Sequence, residues 1–272
     1  MSGVQAVLER ARAAGRPSLV SYVTAGIRPD WTDLLAAMIE AGADAVEIGL
    51  PFSDPMLDGP VIQEASGTAI SRGANTTAIL AGLRQARPPA GRDGAVPLIA
   101  MSYANHAYHR GITRYCGELA GAGFSGTIIP DLPIGEADEY LAAAAGAGLD
   151  ATLMVTPATP PEQMRAIARR SRGFLYVMSV MATTGSTNER DDERRWALAA
   201  RALGVADTQQ DSPPPVLIGV GIDTPARAAA AARHADGVIV GSALMRRVLD
   251  GADAGDIARA VGDLRAAIDT AR

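Results

Sequence analysis

Eight short β-branched or apolar runs, separated by stretches with helical patterning, constrain this chain more than any other feature. The runs cover residues 18–23, 45–49, 97–102, 126–129, 151–155, 174–178, 216–219 and 237–240. Helical patterns lie between them, for example at 30–41, 76–87, 112–122, 135–147, 161–170, 194–203 and 225–234. Strands that alternate with helices pair in parallel, and eight such units in 272 residues fit a (β/α)8 TIM barrel of the α/β class. A doubly wound open sheet is the alternative arrangement of the same units. Helical patterns at 4–13 and 256–270 are extra to the repeat, and the second carries an apolar stripe at Ile257, Val261, Leu264 and Ile268. No linker divides the chain, so residues 1–272 read as a single barrel domain.

Composition removes several kinds of chemistry. All 25 basic residues are arginine. A Schiff base needs a lysine amine, so lysine-dependent aldol chemistry and covalently anchored pyridoxal phosphate are both excluded. The net charge of −5 gives no basic footprint for nucleic acid. No apolar run is long enough to span a bilayer. Cys116 is the single cysteine, so neither a disulfide framework nor a cysteine zinc site is available. The N-terminus lacks the layout of a secretory signal, and a cytoplasmic protein is expected.

The unusual residues collect at the ends of the strands where a barrel keeps its chemistry. Glu47 interrupts the apolar run Ala45-Val46-Glu47-Ile48-Gly49. A buried carboxylate there costs several kcal/mol unless it is paired or used, so the readings are a catalytic group or a buried ion pair. Asp54 and Asp58 follow in the loop Leu50-Pro51-Phe52-Ser53-Asp54-Pro55-Met56-Leu57-Asp58-Gly59-Pro60. Asp54 beside proline also suits a turn-shaping role. Tyr103 follows the third strand, Asp131 the fourth, and Tyr176 lies in the sixth. Asp131 suits a structural cap as well as a direct role, and the tyrosines suit packing as well as substrate contact. His106 and His109 share a helical face but lack a third ligand, so no metal site is expected and both read as exposed. His234, ending a helix, faces the negative pole of its dipole.

A second cluster is glycine-rich. Gly219-Val220-Gly221-Ile222 follows the seventh strand, and Gly241-Ser242-Ala243-Leu244 follows the eighth and opens a helix. A phosphate commonly sits between these two loops, on backbone amides and a helix N-terminus. Thr184-Gly185-Ser186, after the sixth strand, can close the same pocket. The charge run at 188–195 reads as a solvated loop and helix start, with a mobile lid as the alternative, and 209–215 as a proline-ended surface loop.

The segment from Glu47 to Pro60, followed by Ile62-Gln63, resembles the signature of the tryptophan synthase α subunit family. The likeness continues in order through Tyr103-Ala104-Asn105, Pro130-Asp131-Leu132-Pro133, Thr184-Gly185, Gly219-Val220-Gly221-Ile222 and Gly241-Ser242-Ala243. The resemblance implies a (β/α)8 barrel that cleaves indole-3-glycerol phosphate to indole and glyceraldehyde 3-phosphate without metal or organic cofactor. It implies Glu47 as general acid and base and Asp58 as the carboxylate that accepts the indole N–H. By the same likeness Tyr103 and Tyr176 lie near the substrate, and Thr184, Gly185, Gly221, Gly241 and Ser242 fall at the phosphate end. Tyr22 stands where the family commonly has a phenylalanine in the indole pocket. A β subunit, in an α2β2 heterotetramer, is the partner the resemblance implies.

Departures from the family pattern fall at 181–187, where Ala182 and Thr183 replace the usual glycine and valine of the loop that closes over substrate. Three other readings stand beside the α subunit: a stand-alone indole-releasing lyase of secondary metabolism, a non-catalytic regulatory barrel that binds a phosphate ligand, and another phosphate-binding barrel enzyme such as an isomerase or synthase.

Overall fold

A computed structural model describes residues 3–86, 88–178, 197–199, 201–202, 204–205, 213–219 and 221–271. Eight parallel strands close into a barrel: β1 Ser18–Thr24, β2 Ala45–Gly49, β3 Leu98–Met101, β4 Phe124–Ile128, β5 Asp150–Val155, β6 Leu175–Met178, β7 Val216–Gly219 and β8 Gly237–Val240. Each pairs with the next in sequence, and β8 returns to β1 with Ser18 opposite Gly237. The open sheet is thereby excluded. A two-rung antiparallel ladder, Ala90–Gly91 with Gly94–Ala95, precedes β3 and has no counterpart in the sequence expectations.

Strands buried on both faces explain the continuous apolar runs. Val20, Ala45, Ile99, Ile128, Phe174, Leu217 and Ile239 form a cluster separate from the helix-facing core, and Val4 and Leu8 of the N-terminal helix Val4–Ala13 join it. That helix plugs the bottom of the barrel. Asp150, opening β5, accepts the Gln5 N–H at 2.9 Å and so caps the helix from across the fold. Gly126 lies against Val4, where a Cβ would come within 2.8 Å of it.

The C-terminal helix Ala254–Asp269 begins in a capping box of Asp253 with Asp256. It buries the expected Ile257, Val261, Leu264 and Ile268 stripe. Its Arg265, only 5% exposed, reaches Asp44 Oδ2 at 2.9 Å and the Pro17 carbonyl at 2.8 Å. Asp44 also accepts the Leu19 N–H and an Arg16 N–H, at 2.8 and 2.7 Å. One carboxylate therefore joins β1, the turn before β2 and the last helix.

Candidate active site

The open top of the barrel carries the residues with unusual chemistry. Glu47 stands opposite Tyr22 of β1 and Ile99 of β3. It is 1% exposed, and its Oε2 is buried without a hydrogen-bond partner. Among the described residues no cation pairs with it. Burial, and secondarily the charge of Asp58, push its pKa up to about 8.

Asp58 arrives from the loop after β2. Its own N–H bonds to the Pro55 carbonyl at 3.1 Å, and its carbonyl accepts the Gln63 amide at 2.8 Å. Directly after it, Gly59 and Pro60 start the helix Pro60–Ser71, with proline in the first turn where its missing N–H costs nothing. Burial pushes the Asp58 carboxyl up to about 6, against a lowering hydrogen bond from Tyr103. Two carboxyl groups thus sit in one partly apolar region with pKa values on opposite sides of neutrality.

Three tyrosines surround them. Tyr103 Oη donates to Asp58 Oδ2 and accepts the Leu57 N–H, each at 3.1 Å. Its ring stacks on Phe52 at 5.0 Å between centroids. Tyr22 lays its hydroxyl over Gly49, and Tyr176 lays its own over Gly219; a Cβ on either glycine would overlap the phenol. Burial, then the nearby carboxylates, raise the Tyr176 hydroxyl well above its ordinary range, so it stays protonated. Tyr22, Gly49, Leu50, Phe52, Asp58, Ser66, Met101, Ser102 and Tyr103 line one pocket.

The glycine cluster lies over adjacent strands, β7 and β8. Gly221 has φ +78°, a left-handed conformation that favours glycine. Gly241 caps the helix Ser242–Leu249, and its carbonyl accepts the Leu244 and Met245 N–H groups. Amides in the first turn of a helix suit an anion. Thr184 and Gly185, with the 181–187 loop and the 188–195 charge run, lie outside the described residues.

Other expectations resolve differently. Asp131 accepts the Ala104 N–H at 2.8 Å and caps the helix Ala104–Arg110, which supports the capping role. Asp54 is exposed, and its carbonyl shapes the turn by accepting the Met56 N–H. His106 is not on an open face as expected: it is half-buried, its Nδ1 has no partner, and its ring meets Phe52 edge-on at 5.3 Å. Three residues now around the pocket were not singled out in the sequence: Ser66, Met101 and Ser102. The signal for Ser66 is a hydroxyl inside the buried stripe Ala65, Ser66 and Ala69, legible only once a helix is drawn through Pro60–Ser71.

The family model for the tryptophan synthase alpha chain matches residues 8–267. The chain belongs to the tryptophan synthase alpha chain family. Relatives named tryptophan synthase alpha chain include one from Thermosynechococcus vestitus, 40% identical over 96% of both chains. Another, from Novosphingobium aromaticivorans, is 40% identical over 97% of both. Among solved structures, a tryptophan synthase from M. tuberculosis is similar with a TM-score of 0.84 at 32% identity, covering 99% of each chain. The tryptophan synthase subunit alpha of Legionella pneumophila is similar with a TM-score of 0.83 at 31% identity, again over 99% of each. The chain shares the barrel fold of these solved structures, and the likeness covers 99% of it.

Proposed function

We propose that Glu47 and Asp58, at the top of the barrel, form a cofactor-free lyase site that cleaves indole-3-glycerol phosphate to indole and glyceraldehyde 3-phosphate, with residues 1–272 acting as one domain. The observation that carries this reading is the placement of Glu47, buried with its Oε2 unpartnered, near an Asp58 held by Tyr103, a setting that raises the two carboxyls to about 8 and about 6. Near neutral pH one is an acid and the other an anion, which is the division of labour such a cleavage needs.

Asp58, ionised, accepts the indole N–H and holds the positive charge that develops on the ring. Glu47, protonated, delivers its proton to ring carbon C3, which makes the ring a leaving group. The resulting carboxylate then takes the proton of the adjacent glycerol hydroxyl. As that oxygen becomes the aldehyde, the carbon–carbon bond breaks and its electron pair returns to the ring. Glu47 ends protonated, as it began. Tyr176 lies by the reacting glycerol, Tyr22 walls the indole pocket, and Tyr103 holds the Asp58 carboxylate. Gly221, Gly241 and Ser242 seat the phosphate, with Thr184 and Gly185 completing that end.

The partner in this reading is a tryptophan synthase β subunit in an α2β2 heterotetramer, in the cytoplasm. Support comes from the exposed rim of the site. Met56, on the loop that carries Asp58, is 70% exposed, and Tyr108, on the helix beneath Phe52, is 53% exposed. Indole release by the purified chain, measured alone and with a tryptophan synthase β chain, tests the proposal. Release that rises with the β chain is expected. Equal, rapid release in both cases identifies a stand-alone lyase, and no release in either overturns the proposal.

A further inference from the structure

The wall of the pocket is more polar than an unsubstituted indole ring can use. Such a ring carries one polar atom, its N–H, and in the proposed reaction Asp58 takes it. Four hydroxyl-bearing residues line the same pocket: Tyr22, Ser66, Ser102 and Tyr103. Tyr103 is engaged by Asp58 and the Leu57 N–H, and Ser102 by the Tyr115 hydroxyl, 2.5 Å from its Oγ behind the strand. The other two are not.

Ser66 is 4% exposed and sits on the pocket face of the helix Pro60–Ser71. Its hydroxyl takes part in no hydrogen bond among the described residues. Tyr22, 6% exposed, shares a single long contact, 3.3 Å, with the Thr24 hydroxyl. A phenol offers one donor and two acceptor positions, so hydrogen-bonding capacity remains. Covering such groups with the apolar edge of a ring costs free energy, because a buried hydroxyl left unpaired loses its water without replacement. A ring that brings its own hydrogen-bonding group removes that cost.

We infer that Ser66 and Tyr22 are specificity-determining residues that adapt this pocket to indole rings bearing a hydroxyl or amino substituent on the benzo edge. The inference rests on the lyase reading above. A wall of this kind separates substrates by what they pair, and it discriminates most strongly against a substituent of the same size that cannot hydrogen-bond. Hydroxyl and methyl form such a pair.

The test runs the reaction in the direction of condensation. Glyceraldehyde 3-phosphate joins ring carbon C3 through its aldehyde carbon, whose oxygen gains a proton while C3 loses one. Indole, and hydroxy- and methylindoles substituted at each benzo position, are compared by kcat/KM in the wild type, Ser66→Ala and Tyr22→Phe. The hydroxy-to-methyl ratio is read, so that any general loss of activity in a variant cancels. At one ring position the wild-type ratio is expected to exceed about tenfold, and at least one variant is expected to bring it close to unity. A ratio near unity at every position in the wild type overturns the inference, as does a high ratio that both variants leave unchanged. Turnover of plain indole separates the two readings. If the wild type condenses indole but shows no such ratio, the specificity inference alone fails; if it condenses no indole at all, the lyase reading fails with it.

Discussion

The Tyr103 hydroxyl bridges Asp58 and its own loop, donating to the Asp58 carboxylate and accepting the Leu57 N–H, both at 3.1 Å. The phenol thereby fixes where the carboxylate points and, by bonding its charged form, holds its pKa down against burial. Tyr103→Phe keeps the stack on Phe52 but removes both bonds. Its kcat/KM for indole release is expected to fall about tenfold, as befits one hydrogen bond to a charged group. The acid limb of its pH profile is expected to move to higher pH, because Asp58 then loses the bond that favours its ionised form. An unmoved limb contradicts this account of Tyr103.

The pH dependence of the wild type follows from the two carboxyls. Asp58 works as an anion, so activity is lost as pH falls through about 6. Glu47 must start protonated, so activity is lost as pH rises through about 8. A bell-shaped kcat/KM profile between these values is expected. The two limbs belong to an interacting pair and are read as macroscopic values.

Gly219 gives way to the Tyr176 ring, which occupies the space a side chain would take. Gly219→Ala forces that ring out of its seat or strains β7, at a cost of about 1–3 kcal/mol of stability. Displacement of the hydroxyl from beside Glu47 is expected to lower kcat more than it raises KM. Steady-state kinetics together with a urea titration separate the two effects.

Asp44 bears on stability alone. It lies at the opposite end of the barrel from Glu47 and gathers Arg265, Arg16 and the Leu19 N–H. Asp44→Ala leaves Arg265 charged and without this partner inside the fold. Loss of one member of a buried pair costs about 3–5 kcal/mol. The urea midpoint is expected to drop accordingly, with the pH limbs of any residual activity unmoved.

The barrel was legible because its strands are buried on both faces and read as unbroken apolar runs. Strand boundaries came within two residues, as with Ser18–Thr24 against 18–23 and Phe124–Ile128 against 126–129. Two helices were given no bounds from sequence. Pro60–Ser71 opens with a proline and carries Ser66, Gly67 and Thr68, which mask its pattern. Ala104–Arg110 is only seven residues long and is capped by Asp131, 27 residues from the amide it holds. Glu47 was legible as an anomaly because carboxylates avoid strand interiors. The direction in which the two carboxyls separate was not, since it depends on how deeply each is buried. The seating of Tyr22 on Gly49 and of Tyr176 on Gly219 likewise needs the closed barrel, which brings the strand ends together.

The central claim is that Glu47 supplies the proton and Asp58 the negative charge. Its most direct measurement is single-turnover indole release by Glu47→Gln and Asp58→Asn. Glu47→Gln also serves as its own folding control. The raised pKa means that ionising Glu47 costs the wild-type fold stability progressively between pH 4.5 and about 8. The glutamine variant escapes that cost and is expected to match or exceed the wild type in stability at the alkaline end. Both variants are expected to bind indole-3-glycerol phosphate and to lose at least about a thousandfold in the rate of indole release. Release at near wild-type rates by either folded variant would contradict the account.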